Sequence, residues 1–126
     1  MIFEGRMDPR IKRVLAQIDA RLHDRLSISR LASDAGLSPS RFAHLFRMEV
    51  GISPAQYLRQ RRMALALVLL DRTSLPVREV MLHVGCNDPS HFARDFRRFH
   101  GFGPRERRTA LGIPRRADHL AIGELK

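Results

Sequence analysis

The stretch PSRFAHLFR, Pro39 to Arg47, returns fifty positions later as PSHFARDFR, Pro89 to Arg97. Six of the nine residues are identical, and the register holds downstream, where Gly51 and Pro54 recur as Gly101 and Pro104. Upstream, Gly36 answers Gly85 one residue out of step. A repeat of this kind decides architecture before any single motif does, because each copy must be one structural unit. Ser38 and Asp88 stand where a helix would be capped, and Pro39 and Pro89 occupy its first turn, where a missing amide costs nothing. Before each glycine lies a short apolar-periodic run, Leu31, Ala32 and Ala35 in one copy and Val77, Val80, Met81 and Val84 in the other. The first run is capped by Ser27 or Ser29.

A short helix, a turn containing glycine and a second helix make the helix-turn-helix pattern, whose second helix enters the major groove of DNA. Phe42, Leu45 and Phe46, and in the second copy Phe92, Phe96 and Phe99, form the expected apolar stripe of that helix. Ser40, Arg41, His44 and Arg47 are left pointing outward, as are Ser90, His91, Arg94, Arg97 and Arg98. Only a slim, hydrogen-bonding face lies close enough to reach base edges. Serine keeps the approach small, while Arg41, His44, His91 and Arg94 have the reach to read bases. Arg47, Arg97 and Arg98, a turn further on, suit phosphates. The helix starts at Pro54 and Pro104 offer free amides that favour an anion.

Elsewhere the pattern is helical. From Asp8 and Pro9 an amphipathic helix with Ile11, Val14, Leu15, Ile18 and Leu22 is expected to run to about Asp24. The stretch Pro54 to Asp71 reads as a rigid linker helix with Tyr57, Leu58, Ala64, Leu65, Val68 and Leu69 at helical spacing, about 27 Å long. The expected division is a frayed start (1–7), a first helix-turn-helix lobe (8–53), the linker helix (54–72), a second lobe (73–111) and a loose tail (112–126). The fold class is all-α, two helix-turn-helix subdomains on a long linker helix, homeodomain-like, with about seven helices. Two recognition helices about 34 Å apart would meet successive major grooves, so one chain does what dimeric repressors do with two. Since Arg41 and His44 differ from His91 and Arg94, the expected site is asymmetric.

The charge agrees. Across 126 residues the net charge is +10 and the pI about 11.5, which points to a polyanionic partner. All but Lys12 and Lys126 of the 23 basic residues are Arg, whose planar fork grips phosphate or guanine through two hydrogen bonds. The linker arginines Arg59, Arg61 and Arg62 are either a solvated face or phosphate contacts. Arg105, Arg107 and Arg108 carry the same pair of readings beside the second lobe.

The run from Leu26 to Arg108 resembles the DNA-binding domain of the AraC/XylS family of bacterial transcription regulators. The closest part is VGCNDPSHFARDFRRFHGFGPRERR, Val84 to Arg108. The resemblance implies a seven-helix, two-lobed fold that binds double-stranded promoter DNA and activates transcription through RNA polymerase. It assigns base reading to Ser40, Arg41, Ala43 and His44, then to Ser90, His91 and Arg94. Phosphate contacts are expected from Arg47, Arg59, Arg62, Arg97, Arg98 and Arg105. Two departures stand out: Met81 where the family favours a small Ala, kept in copy one as Ala32, and Cys86 where an aromatic is usual. The second lobe is therefore expected to be the less stable or less tightly docked one.

Other classes fit poorly. No G-x-S-x-G, P-loop, H-E-x-x-H or paired-carboxylate motif occurs, so no enzyme is expected. His83, Cys86 and His91 lack paired metal-ligand spacing, and no metal or other cofactor is expected. Phenylalanines at helical spacing read as core, not as stacking platforms for single strands. A non-specific architectural protein would spread its charge, not concentrate it on two helix faces. The lone Cys86 suits a reducing compartment, and the longest apolar run, Met63 to Leu70, is too short to span a bilayer. A cytoplasmic, nucleoid-associated protein, monomeric on DNA, is expected. It is either a short stand-alone regulator or the DNA-binding fragment of a larger ligand-sensing one.

Overall fold

A computed structural model describes residues 7–111. The expected tail, with Arg115 and Arg116, and the start before Met7 lie outside the described residues. Seven α-helices follow in order, α1 (Pro9–Ala20), α2 (Ile28–Asp34), α3 (Pro39–Val50), α4 (Pro54–Arg72), α5 (Val77–His83), α6 (Pro89–His100) and α7 (Pro104–Ala110). No strand occurs among the described residues. The chain divides into two compact units, Met1–Arg59 and Gln60–Lys126, with the boundary inside α4.

In the first unit the Asp8 carboxylate accepts the Arg10 amide at 2.8 Å and Pro9 opens the first turn of α1. Ile11, Val14 and Ile18 are its buried face. The helix stops at Ala20, short of the expected Asp24, because the Arg21 amide closes onto Ile18 O (3.1 Å) and the Asp24 amide onto Arg21 O (3.0 Å). Leu22, just beyond, is buried all the same. Ser27, rather than Ser29, caps α2, its Oγ accepting the Arg30 amide at 3.2 Å.

The turn between the two helices is fixed by one residue. Gly36 has φ +74°, a left-handed conformation that side chains disfavour. There the Leu37 amide reaches Ala32 O and the Gly36 amide reaches Ser33 O, both at 2.9 Å, the crossed pair of bonds that ends a helix and turns the chain. α3 then starts under the Ser38 cap. Its Phe42 and Phe46 are fully buried, ring centroids 5.8 Å apart, with Tyr57 edge-on to Phe46. Each ring contributes about 1.5–3 kcal/mol by leaving water.

The second unit repeats this. Gly85 has φ +81°, the Cys86 amide reaches Met81 O and the Gly85 amide Leu82 O, both at 3.0 Å. Phe92 and Phe96 stand 5.9 Å apart in a core with Val80, Met81 and Val84. α4 completes that core with Met63, Ala66 and Leu70, spaced as Ile11, Val14 and Ile18 are on α1. The expected stripe is met in part: Leu58 is buried and Leu65 and Leu69 pack against the second unit's core, whereas Val68 is 46% exposed. The run MALALVLL is apolar on every face, so period alone cannot select the buried one.

Phe99 also differs: it is 44% exposed. The inward position after Phe96 is taken by His100, whose ring lies 4.5 Å from Phe96 and whose Nε2 is 2.9 Å from Met63 O. Met81 is buried in the core and Cys86 half-buried, so neither departure is expelled from the packing.

The two repeated helices are capped by different chemistry, Ser38 on α3 and Asp88 on α6. The His91 amide, bonded to Asp88 Oδ1 at 3.0 Å, holds the Asp88 carboxyl below its ordinary value. A carboxyl whose folded pKa is depressed stabilises fully above its unfolded pKa and loses that contribution as pH falls through the folded one. Protection of the first-turn amides of α6, taken relative to their intrinsic exchange rate, should therefore fall below about pH 4 while that of α3 does not, since a serine cap carries no charge to lose. Asp88→Ser should abolish the difference.

Candidate nucleic-acid interface

α3 and α6 bury corresponding residues and expose corresponding residues. Ser40, Arg41, Ala43, His44 and Arg47 are exposed on α3, as are Ser90, His91, Ala93, Arg94, Arg97 and Arg98 on α6. The cause is local: Pro at the first turn sets the helix start, and rings four residues apart must face the core, so the intervening residues face water. No carboxylate pairs with Arg41, Arg47, Arg94 or Arg98 among the described residues, so these cations are available to a ligand.

Beside α3 lies an open concavity lined by Arg10, Leu37, Ser40, Arg41, His44 and Leu45. Arg10 is held there by both oxygens of Asp8, at 3.1 and 2.8 Å, and its hydrogen bond draws the Asp8 carboxyl down to about 2. In the second unit a groove of 350 Å³ runs between α5, α6 and α7, with Met81, Phe92 and Pro104 among its apolar lining and Arg78, Arg97 and Arg105 among its cations.

The remaining arginines sort differently. Arg59 and Arg105 are exposed. Arg62 is half-buried, and burial lowers its pKa; it lies near Cys86, whose thiol burial pushes up. Arg107 forms a two-bond ion pair with Asp71 (2.8 Å each) and lies over the Phe102 ring at 5.4 Å, while Arg108 is buried. Both serve the second unit's packing. The helix starts at Pro54 and Pro104 are not simply open either. Gln56 accepts the Ser53 amide at 3.2 Å while Ser53 Oγ accepts the Gln56 amide at 3.2 Å, and Glu106 accepts the Gly103 amide at 2.9 Å. Part of each first turn is satisfied by its own side chains.

A helix-turn-helix domain family model matches residues 31–110. The chain belongs to the AraC-type helix-turn-helix family. It is a family of transcription-regulator DNA-binding domains, not of enzymes. Among relatives of this AraC-type chain, the arabinose operon regulatory protein of Escherichia coli K12 is 33% identical over 117 residues, covering 92% of this chain and 39% of that protein. The probable transcriptional regulator LumQ of Photobacterium leiognathi is 33% identical over 106 residues, covering 82% and 43%. The chain thus spans about two fifths of the length of these curated relatives. Among solved structures, the DNA-binding domain of AdpA in complex with a target DNA superposes with a TM-score of 0.78 at 30% identity, over 82% of this chain and 93% of that one. The C-terminal domain of AraT from Geobacillus stearothermophilus gives 0.79 at 27% identity, over 83% and 88%.

Several residues on the AraC-type surface went unread in the sequence. Met48, 72% exposed on α3, looks like core by composition, and only its phase relative to Phe42 and Phe46 reveals it. Arg78, exposed on α5, corresponds in the repeat to Ser29, a mismatch that comparison of the copies could have flagged. Among the described residues no three His, Cys, Asp or Glu side chains gather as metal ligands, and no helix is long and apolar enough to cross a membrane.

Proposed function

We propose that this chain binds an asymmetric double-stranded promoter site, with α3 and α6 entering successive major grooves, and regulates bacterial transcription, in the activating sense, through RNA polymerase. The observation that carries this reading is the matched pair of exposed faces on two helices whose buried faces coincide. Ser40, Arg41, Ala43 and His44 read one half-site, and Ser90, His91 and Arg94 the other. Arg47, Arg59, Arg98 and Arg105 contact phosphates; Arg97 and Arg62 join them only by leaving, respectively, a carboxylate partner and a half-buried position.

One chain covers both half-sites, so it acts as a monomer on DNA, in the cytoplasm at the nucleoid. A second reading is supported by length: relatives about twice as long or longer make this chain comparable to the DNA-binding part of a larger ligand-sensing regulator. Both readings use the same interface.

Selection of bound duplexes from a random pool tests the reading most directly, by giving two unlike half-sites or none. On the selected site, Arg94→Ala should cost about 1–3 kcal/mol and relax preference at one base pair. An equal loss on random duplex would make Arg94 a phosphate contact instead. With about eight phosphates neutralised, log K against log salt should fall with a slope of roughly −7, and a slope near zero would sink the DNA reading. Inserting about half a helical turn of DNA, roughly 5 bp, between the half-sites should abolish specific binding by turning one groove away. Undiminished binding would mean that only one recognition helix engages.

A further inference from the structure

Fifty residues apart, the two units carry the same arginine in different company. Arg97 donates from Nη2 to Glu106 Oε1, and that same oxygen accepts the Gly103 amide at 2.9 Å. In the first unit Arg47 corresponds to Arg97, Gln56 to Glu106 and Ser53 to Gly103. Gln56 makes the equivalent bond to the Ser53 amide, but it is neutral, and Arg47 has no ion pair among the described residues.

Gly103 supplies a second, independent sign. Its backbone is extended, φ −83° and ψ 161°, a conformation open to any residue. A Cβ built there would lie 3.0 Å from Arg97 Nη2 and 3.1 Å from Glu106 Oε1. Glycine at this position therefore leaves room for the ion pair, not for a turn. Two positions, Gln56 against Glu106 and Ser53 against Gly103, differ between the copies in one concerted way, and both concern whether the shared arginine is held.

We propose that Glu106 is a restraint on DNA-backbone binding by the second unit, holding Arg97 in an intramolecular ion pair from which a phosphate must displace it. Arg47 engages its phosphate without competition, so the first unit binds backbone more strongly and the second depends more on the bases it reads. Glu106 accepts the Gly103 amide and Arg97 together, and these bonds keep its carboxyl below the ordinary value, so the restraint is ionised at neutral pH. The pair is solvent-exposed, with side chains more than half accessible, which makes it weak enough to exchange. This inference rests on the DNA-binding reading above and assigns a specificity-setting role to a residue outside the recognition helices.

Glu106→Gln tests it, because Gln56 already makes the same helix-capping bond in the first unit and the fold is preserved. Binding of the full chain to the selected duplex and to a random duplex is titrated across salt. Glu106→Gln should tighten both by about three- to tenfold at low salt and steepen the salt slope by about one, the value of one additional phosphate contact. Arg97→Ala should cost more in the Glu106→Gln background than in the wild-type chain. Gly103→Ser, which restores the first unit's residue, should act in the same direction as Glu106→Gln.

An unchanged or weaker affinity in Glu106→Gln overturns the proposal. So does a gain that persists in full in the Arg97→Ala background, since that would be a general charge effect. If the wild-type chain itself fails to bind DNA with a salt-dependent slope, the DNA reading falls. If it binds with that slope and Glu106→Gln changes nothing, only the restraint does.

Discussion

Each unit is organised by one pair of rings four residues apart, Phe42 with Phe46 and Phe92 with Phe96. Units this small have few buried side chains, and these rings are among the largest of them. Once the two rings are inside, the rotation of the helix about its axis is fixed, and with it the residues left in water. The glycine turn before each helix serves the same constraint. Gly36 and Gly85 let the chain reverse within two residues, bringing the stripe of the second helix against Leu31 and Ala32 or against Val80 and Met81. Binding surface and core are therefore two faces of one decision.

Features written in a few adjacent residues were legible before any coordinates. The caps Asp8, Ser38 and Asp88, the proline first turns and the glycine stops are local chemistry, and they fixed the limits of α3, α4 and α6 closely. The outward faces of α3 and α6 followed from ring spacing alone. What could not be read was set by contacts distant in sequence. α4 is apolar all round, so its inward face depends on which neighbours approach it. Phe99 loses its inward place to His100 because His100 can reach Met63 O, 37 residues away. Arg107 resembles a free cation until Asp71, 36 residues earlier, is seen to hold it.

The same distinction separates the arginines and gives the net charge its meaning. A chain at +10 could simply be sticky, with cations spread evenly over its surface. Here acidic residues are spent on structural arginines: Asp8 holds Arg10, Asp24 holds Arg21, Asp34 lies by Arg30, and Asp71 holds Arg107. Arg108 is withdrawn into the core and Arg62 partly so. Arg41, Arg47, Arg94 and Arg98 are left on the exposed faces of α3 and α6 without a carboxylate partner among the described residues. Part of the excess positive charge thereby lies on the exposed faces of α3 and α6, beside the small side chains Ser40, Ala43, Ser90 and Ala93, while Lys12, Arg13, Arg25, Arg72, Arg78 and Arg105 are exposed elsewhere.

Focusing charge raises a problem for a protein that must discriminate. Every unpaired arginine on a binding face attracts phosphate at any sequence, and non-specific affinity rises with each one. Specificity is a difference between affinities, so it improves when sequence-independent attraction is limited without touching the residues that read bases. On the proposed reading, Glu106, placed next to Arg97 and off α6, meets that requirement. The first unit keeps its cation unopposed and the second opposes it, and on the proposed reading that difference lets two nearly identical folds on one chain divide the work between holding the duplex and reading it.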